Sequence, residues 1–286
     1  GLSGPKIDYY NIGYVGWRGL NGLVEYATDD ITAVVQGGVS NQSFQREDLF
    51  DQPGLSLSDK VNQGGGYIKG GANYNFSSTS NVFFNAGFIS RQPNFDGVFP
   101  NYANVVNPDL QNERITSLEV GYGYLGNNFD VNVNAYLTNW GNRFISRGFV
   151  TPEGTDGTAQ FRDIDVLHNG VEVEATYRPV RNLRLTGMVS AGDWRYTKDF
   201  TSALFDDNNQ QIGTGTLYTK GAKVGDAAQF VTYGEIDYTL GPVSLDFGYR
   251  FVDGLYADYS ITSSDFTQPD NDGALKLPSF GLADLG

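Results

Sequence analysis

His168 is the single histidine in 286 residues, so any nucleophilic triad would have to be built on it. Membrane acyl hydrolases of that kind place a serine two residues after the histidine, and Gly170 stands there instead. A lone histidine at a strand start reads as structural. Glu172 and Glu174 would lie on one strand face about 6.5 to 7 Å apart, which overlaps the carboxylate spacing of inverting glycosidases. Two acids on the same strand cannot flank opposite sides of a scissile bond, so the pair reads as polar wall. Pro269 to Gly273 (PDNDG) resembles part of a calcium loop, but Leu275 occupies the place its glycine would need, so the segment reads as a turn. Gly64 to Gly71 (GGGYIKGG) lacks the following helix start that a phosphate loop requires. Neither enzyme chemistry nor a metal or cofactor site emerges.

The elements that carry these residues explain them better. Two alternating runs joined by a turn of a few residues recur five times, centred near Asp29, Thr79, Asn127, Val180 and Gly241. Between these hairpins lie much longer connections. In 129–138, Phe129, Val131, Val133, Ala135 and Leu137 alternate with Asp130, Asn132, Asn134, Tyr136 and Thr138. Successive side chains of a strand point to opposite faces, so one face is apolar and the other polar. The phase recurs in Val171, Val173, Ala175 and Tyr177 against Glu172 and Glu174, and in Val243, Leu245 and Phe247 against Ser244 and Asp246. Long antiparallel strands with short turns at one rim and long loops at the other describe an all-β, up-and-down transmembrane β-barrel. An aromatic sits just before each short turn: Tyr26, Phe76, Tyr124, Tyr177 and Tyr238. Amphipathic rings favour the headgroup level, so these five mark where a membrane ends.

The spacing predicts about eleven strands, near 20–28, 30–44, 61–76, 80–91, 114–125, 129–146, 168–178, 182–197, 226–240, 243–257 and 278–286. The long connections are then 45–60, 92–113, 147–167, 198–225 and 258–277, the third with some strand of its own because GTAQFRDIDV alternates weakly. Residues 1–286 read as one partial barrel domain. No run approaches the roughly eighteen apolar residues of a helical span, so any membrane crossing is by strands. Nineteen Lys and Arg against 33 Asp and Glu leave a net charge of −14, which repels phosphate and argues against nucleic acid. Acids gather in the connections, at Glu47, Asp48 and Asp51, Asp206 and Asp207, and Asp265, Asp270 and Asp272. Solvated loop charge accounts for them; attraction of cations or cationic ligands, or coordination of a divalent metal, at an outer surface is the functional alternative. The absence of cysteine permits an oxidising compartment and excludes disulfide frameworks.

Four segments carry a family resemblance. Ser90, Arg91 and Pro93, followed by Asn107, Pro108, Leu110 and Glu113, resemble the S-R-x-P and N-P-x-L-x-x-E segments of TonB-dependent outer-membrane receptors. Gly170, Glu172 and Glu174 are similar to that family's G-x-E-x-E strand. LPSFGLADL, from Leu277 to Leu285, resembles its L-P-S-Y-x-L-x-D-L segment, with Phe280 in place of the tyrosine.

The resemblance implies a larger barrel of about 22 strands with a plugged lumen, of which this chain offers roughly half. A signal peptide, plug, TonB-engaging N-terminal segment and final strands are expected outside residues 1–286. It further implies active uptake through the outer membrane, powered by the TonB complex, of a scarce or bulky extracellular ligand such as a ferric chelate, cobalamin or glycan. The polar face would enclose the plug, and the apolar face would meet outer-membrane lipid. Arg91, Phe95, Asp96, Phe99 and Tyr102, in the second long connection, are the candidate ligand clamp, with mutual loop packing as the alternative role. Two other classes remain: a complete small outer-membrane barrel acting as channel, adhesin or acyl-chain enzyme, and a soluble all-β binding protein.

Overall fold

A computed structural model describes residues 10–50, 56–100, 103–151, 154–206, 210–225, 227–257 and 273–286. The described residues form thirteen strands and one short helix: β1 (Asn11–Ala27), β2 (Ile31–Asp48), β3 (Val61–Ser77), β4 (Ser80–Arg91), α1 (Phe95–Val98), β5 (Glu113–Leu125), β6 (Phe129–Val150), β7 (Asp156–Val180), β8 (Leu183–Tyr196), β9 (Phe200–Phe205), β10 (Gln211–Leu217), β11 (Phe230–Leu240), β12 (Val243–Asp253) and β13 (Phe280–Leu285). Eleven of them form one antiparallel meander in the order β1 to β8, β11, β12, β13. Sequential neighbours pair throughout, so short and long connections alternate between the two rims. No pairing joins β1 to β13 among the described residues, and the sheet is open.

The register fixes the faces. Val131 pairs with Tyr124 and Ala175, and Val133 with Tyr122 and Val173, so the apolar phases of β5, β6 and β7 coincide. Leu245 and Phe247 pair with Tyr238 and Ile236 in the same way. This band is exposed to a degree no water-soluble surface of comparable size tolerates, with Leu20 at 76% and Val120 at 55%. Lipid is the solvent it fits. Near the short turns, rings meet in a row: Tyr74 with Phe76, Phe76 with Tyr122, Tyr124 with Phe129, and Phe129 with Tyr177, at centroid separations of 6.3 to 6.5 Å. Three of the five aromatics expected at this rim, Phe76, Tyr124 and Tyr177, belong to this row, with Tyr74, Tyr122 and Phe129 between them.

The main departures lie at the other rim. Sequence spacing assigns 147–167 to a connection, yet β6 runs on to Val150 and β7 begins at Asp156. It also assigns 198–225 to a connection, whereas β9 and β10 form a hairpin there, and β9 pairs with Thr158 to Phe161 of β7. FTSALF and QIGTGTL are too short to show a period. What holds them is non-local: Phe161, Ile164, Val166, Tyr196, Phe200 and Leu217 form a buried cluster between the tall β6–β7 hairpin and this smaller one. Strand β1 also begins earlier than expected, at Asn11. The fourth short turn falls on Arg181 and Asn182, just past Val180.

Candidate functional site: the inner wall and its outer mouth

The polar phase is linked across the sheet. The Asn85 amide donates to Glu119 at 3.1 Å; the Asn134 amide donates to Glu119 at 3.0 Å and to Glu172 at 3.4 Å; the Ser190 hydroxyl donates to Glu172 at 3.3 Å. Only groups on one face of β4 to β8 could be joined this way, so the inner wall carries a continuous polar belt. Glu119 and Glu172 have only neutral donors in it. No Lys or Arg pairs with either among the described residues. Glu174, opposite Asn132 in the register, faces the same way. Nearer the short turns two acids of the wall are paired, Asp130 with Arg178 at 2.5 Å and Asp237 with Arg184 at 2.9 Å. His168 packs edge-on against Trp194 at 5.4 Å, and the Trp194 indole donates to the Tyr136 hydroxyl at 3.0 Å. Of the other candidates, Gly64 to Gly71 lie within β3, and 269–272 fall outside the described residues. Among the described residues no three His, Cys, Asp or Glu side chains gather to hold a metal.

The connection from β4 to β5 folds against the inner phase of β1 to β3. Its short helix α1 is capped by Asn94, whose side chain accepts from the Gly97 N–H at 2.9 Å. Phe99 and Val98 are buried with Phe44, and Phe95, Val61, Val106 and Leu110 pack around them. Phe95 lies 6.5 Å from Phe44 and 5.2 Å from Phe99. Two of the five clamp candidates therefore sit in the loop's own core. Arg91 and Asp96 are exposed, and Tyr102 lies outside the described residues.

The motif residues turn out to be the fasteners of this loop. Asn107, 4% exposed, donates its side-chain amide to the Gly97 carbonyl at 3.0 Å and accepts from the Asp109 N–H at 3.0 Å. Asn112 donates to the Gly64 carbonyl and to Ser90 Oγ, and accepts from Gln63. Glu113 pairs with Arg91 at 3.3 Å and accepts from the Trp140 indole at 3.1 Å. On the far side, Arg162 forms an ion pair with Asp109, and burial pushes its guanidinium below the usual arginine range. Truncating Asn107 to alanine should leave the Gly97 carbonyl buried without a donor, at a cost of about 1 to 3 kcal/mol. The expected result is faster protease cleavage within 92–112 while the barrel strands stay protected. Unchanged cleavage would show that Asn107 does not hold the loop.

Sequence reasoning missed a pair of bulges just outside the lipid-facing band. Between Trp140 and Arg143, β6 has one residue more than its partner, and between Ile164 and Phe161 the extra residue is on β7. Asn142 and Asp163 take left-handed backbone there, with φ of 57° and 55°, at a cost on the order of 1 kcal/mol or more for each. Asp165 compensates by accepting from the Asn142 N–H at 3.0 Å, and the Asn142 side chain reaches the Asn112 carbonyl at 3.3 Å. The extra residue shifts the phase, so Arg143 arrives on the same face as Trp140, 4.6 Å from the indole centroid. Arg91 approaches the same ring at 5.6 Å. The visible signal was Gly141-Asn142 interrupting an alternating run, since glycine within a strand marks bulges.

An antiparallel meander with one lipid-facing side, one polar inner wall and loops folded over its mouth is the wall of a transmembrane β-barrel. The chain belongs to the TonB-dependent receptor-like β-barrel family, whose model matches residues 4–286. Similar solved structures include the ferric citrate transporter FecA (TM-score 0.69, 13% identity, covering 99% of this chain and 38% of that one) and the copper transporter OprC (0.65, 14%, 96% and 38%). The FrpB iron transporter from Neisseria meningitidis is a third (0.62, 14%, 97% and 39%). The chain thus spans about two fifths of the length of these structures. No curated protein sequence matches it.

Proposed function

We propose that this chain forms part of the wall of an outer-membrane active-transport receptor, taking up a scarce or bulky ligand with energy delivered through the TonB complex. The observation that carries this reading is the inner belt around Glu119, Asn134 and Glu172. Uncompensated carboxylates on a fixed wall call for donors or cations from whatever the wall encloses, which in this family is a plug. The loops at the opposite rim from the short turns face the outside and receive the ligand. Exposed Arg91 and Asp96 are among its contacts, Tyr102 is a further candidate, and Phe95 and Phe99 shape the loop around it. Metal and metal-chelate transport by the three similar structures favours that class over cobalamin or a glycan. A closed small barrel would need β1 to pair with β13, which the described residues do not do.

The test is uptake of metal chelates by cells producing the full-length receptor, with and without TonB. Uptake should fall to background when TonB is deleted. Uptake that persists at full rate without TonB would overturn the proposal.

A further inference from the structure

Among the described residues the Arg143 guanidinium has no carboxylate partner, in a chain that has 33 Asp and Glu. The neighbouring guanidinia are paired: Arg91, near the same Trp140 ring, has Glu113, and Arg162, which lines the same small cavity together with Asp163, has Asp109. Among the described residues, the Arg143 side chain has neither an ion pair nor a hydrogen bond. Its contact is the face of Trp140, which holds the charge in place without occupying the N–H donors. Two strained residues, Asn142 and Asp163, and two hydrogen-bonding partners of Asn142, Asp165 and Asn112, are invested in the bulge that puts it there. Further aromatic side chains on the same inner phase, Tyr136, Trp194 and His168, extend this aromatic floor below Trp140, with His168 edge-on to Trp194 and Trp194 hydrogen-bonded to Tyr136.

We propose that Arg143, seated on Trp140 beside Arg91, reads a carboxylate carried on a flat organic frame, and that the transported ligand belongs to that class. The inference rests on the transport reading above and adds the ligand's chemistry to it. A guanidinium offers a planar fork of donors that matches a carboxylate in two parallel bonds, and its weak hydration makes it the easier cation to strip of water. The overall charge of −14 repels anions at a distance, so recognition has to be local. At contact distance, well within a screening length of about 8 Å, the open fork of Arg143 can still take a carboxylate. The aromatic floor takes the frame by stacking.

The probe is benzene-1,3-dicarboxylate, with the uncharged benzene-1,3-dicarboxamide as its counterpart, titrated into the purified full-length receptor. Binding is followed by tryptophan fluorescence, with Trp140→Phe as the blank. The diacid should give a saturable change in the wild type, weakened about tenfold or more in Arg143→Gln and by a smaller factor in Arg143→Lys, which keeps the charge but loses the fork, while the diamide gives none. Equal binding by Arg143→Gln, equal binding of the diamide, or no response of the wild type to either probe would each overturn the proposal. The lysine variant and the diamide decide the matter even if Arg143→Gln fails to fold. TonB dependence is scored separately in cells: its absence sinks the transport reading and leaves the binding result standing, whereas intact TonB-dependent uptake without probe binding sinks this inference alone.

Discussion

Replacing Glu119 and Glu172 together with glutamine should lower TonB-dependent uptake about tenfold or more, equivalent to at least about 1.4 kcal/mol of lost interaction. Glutamine keeps an oxygen that can accept from Asn85, Asn134 and Ser190, so the wall's own hydrogen bonds can survive the change. What disappears is negative charge that nothing else in the described wall neutralises. The loss should therefore register in what the wall encloses while the barrel's heat-modifiable gel mobility stays normal. Each single variant should show a smaller effect, because the two carboxylates share Asn134 and are coupled. Wild-type uptake by the double variant would mean that the belt is only lining.

The second large effect concerns the other face. An arginine at Val133 places a charge in the lipid-facing band and should destabilise the folded full-length receptor by about 2 to 4 kcal/mol, against about 1 kcal/mol or less for arginine at the adjacent Asn132. The contrast between neighbours is the informative quantity, since a register slip of one residue would reverse it. Urea unfolding from liposomes measures both. Spin labels at Val133 and Glu174 give an independent reading, with the first quenched by lipid-soluble agents and the second by water-soluble ones. Equal costs for the two arginines, or equal quenching at the two labels, would refute the orientation of the sheet.

Much of the lower sheet is legible in the amino-acid sequence because its determinants are local. Alternation over β5 and β6 assigns Val131 and Asn132 to opposite faces without reference to a partner strand, and a two-residue connection such as that between Ser77 and Ser80 limits where the next strand can go. The outer half is not legible in the same way. Strands β9 and β10 exist because Phe200 and Leu217 reach the buried side chains of Phe161 and Tyr196, a contact between distant residues that leaves no period in FTSALF or QIGTGTL. Helix α1 has four residues and depends on Asn94 and Asn107 to satisfy its ends, which is tertiary information. The candidate site divides along the same line. Arg91 and Asp96 are exposed where a loop residue is expected to be, while Phe95 and Phe99 went into a core that hydrophobicity alone could not distinguish from a ligand clamp. Trp140 and Arg143 escaped notice because a bulge changes which side chains are neighbours.

The tall β6–β7 hairpin hides its apolar side chains from water by protein, whereas the sheet below it hides them in lipid. Opening the upper cluster of Phe161, Ile164, Val166 and Leu217 would expose carbon to water and raise the heat capacity, so its stability must pass through a maximum and weaken on cooling. Loosening the lower strands inside a bilayer exchanges protein contacts for hydrocarbon and carries little of that signature. One continuous hydrogen-bonded ribbon thus joins two cooperative units with different responses to temperature, and chilling should release amide protons from the tip of the hairpin well before it disturbs the strands beneath.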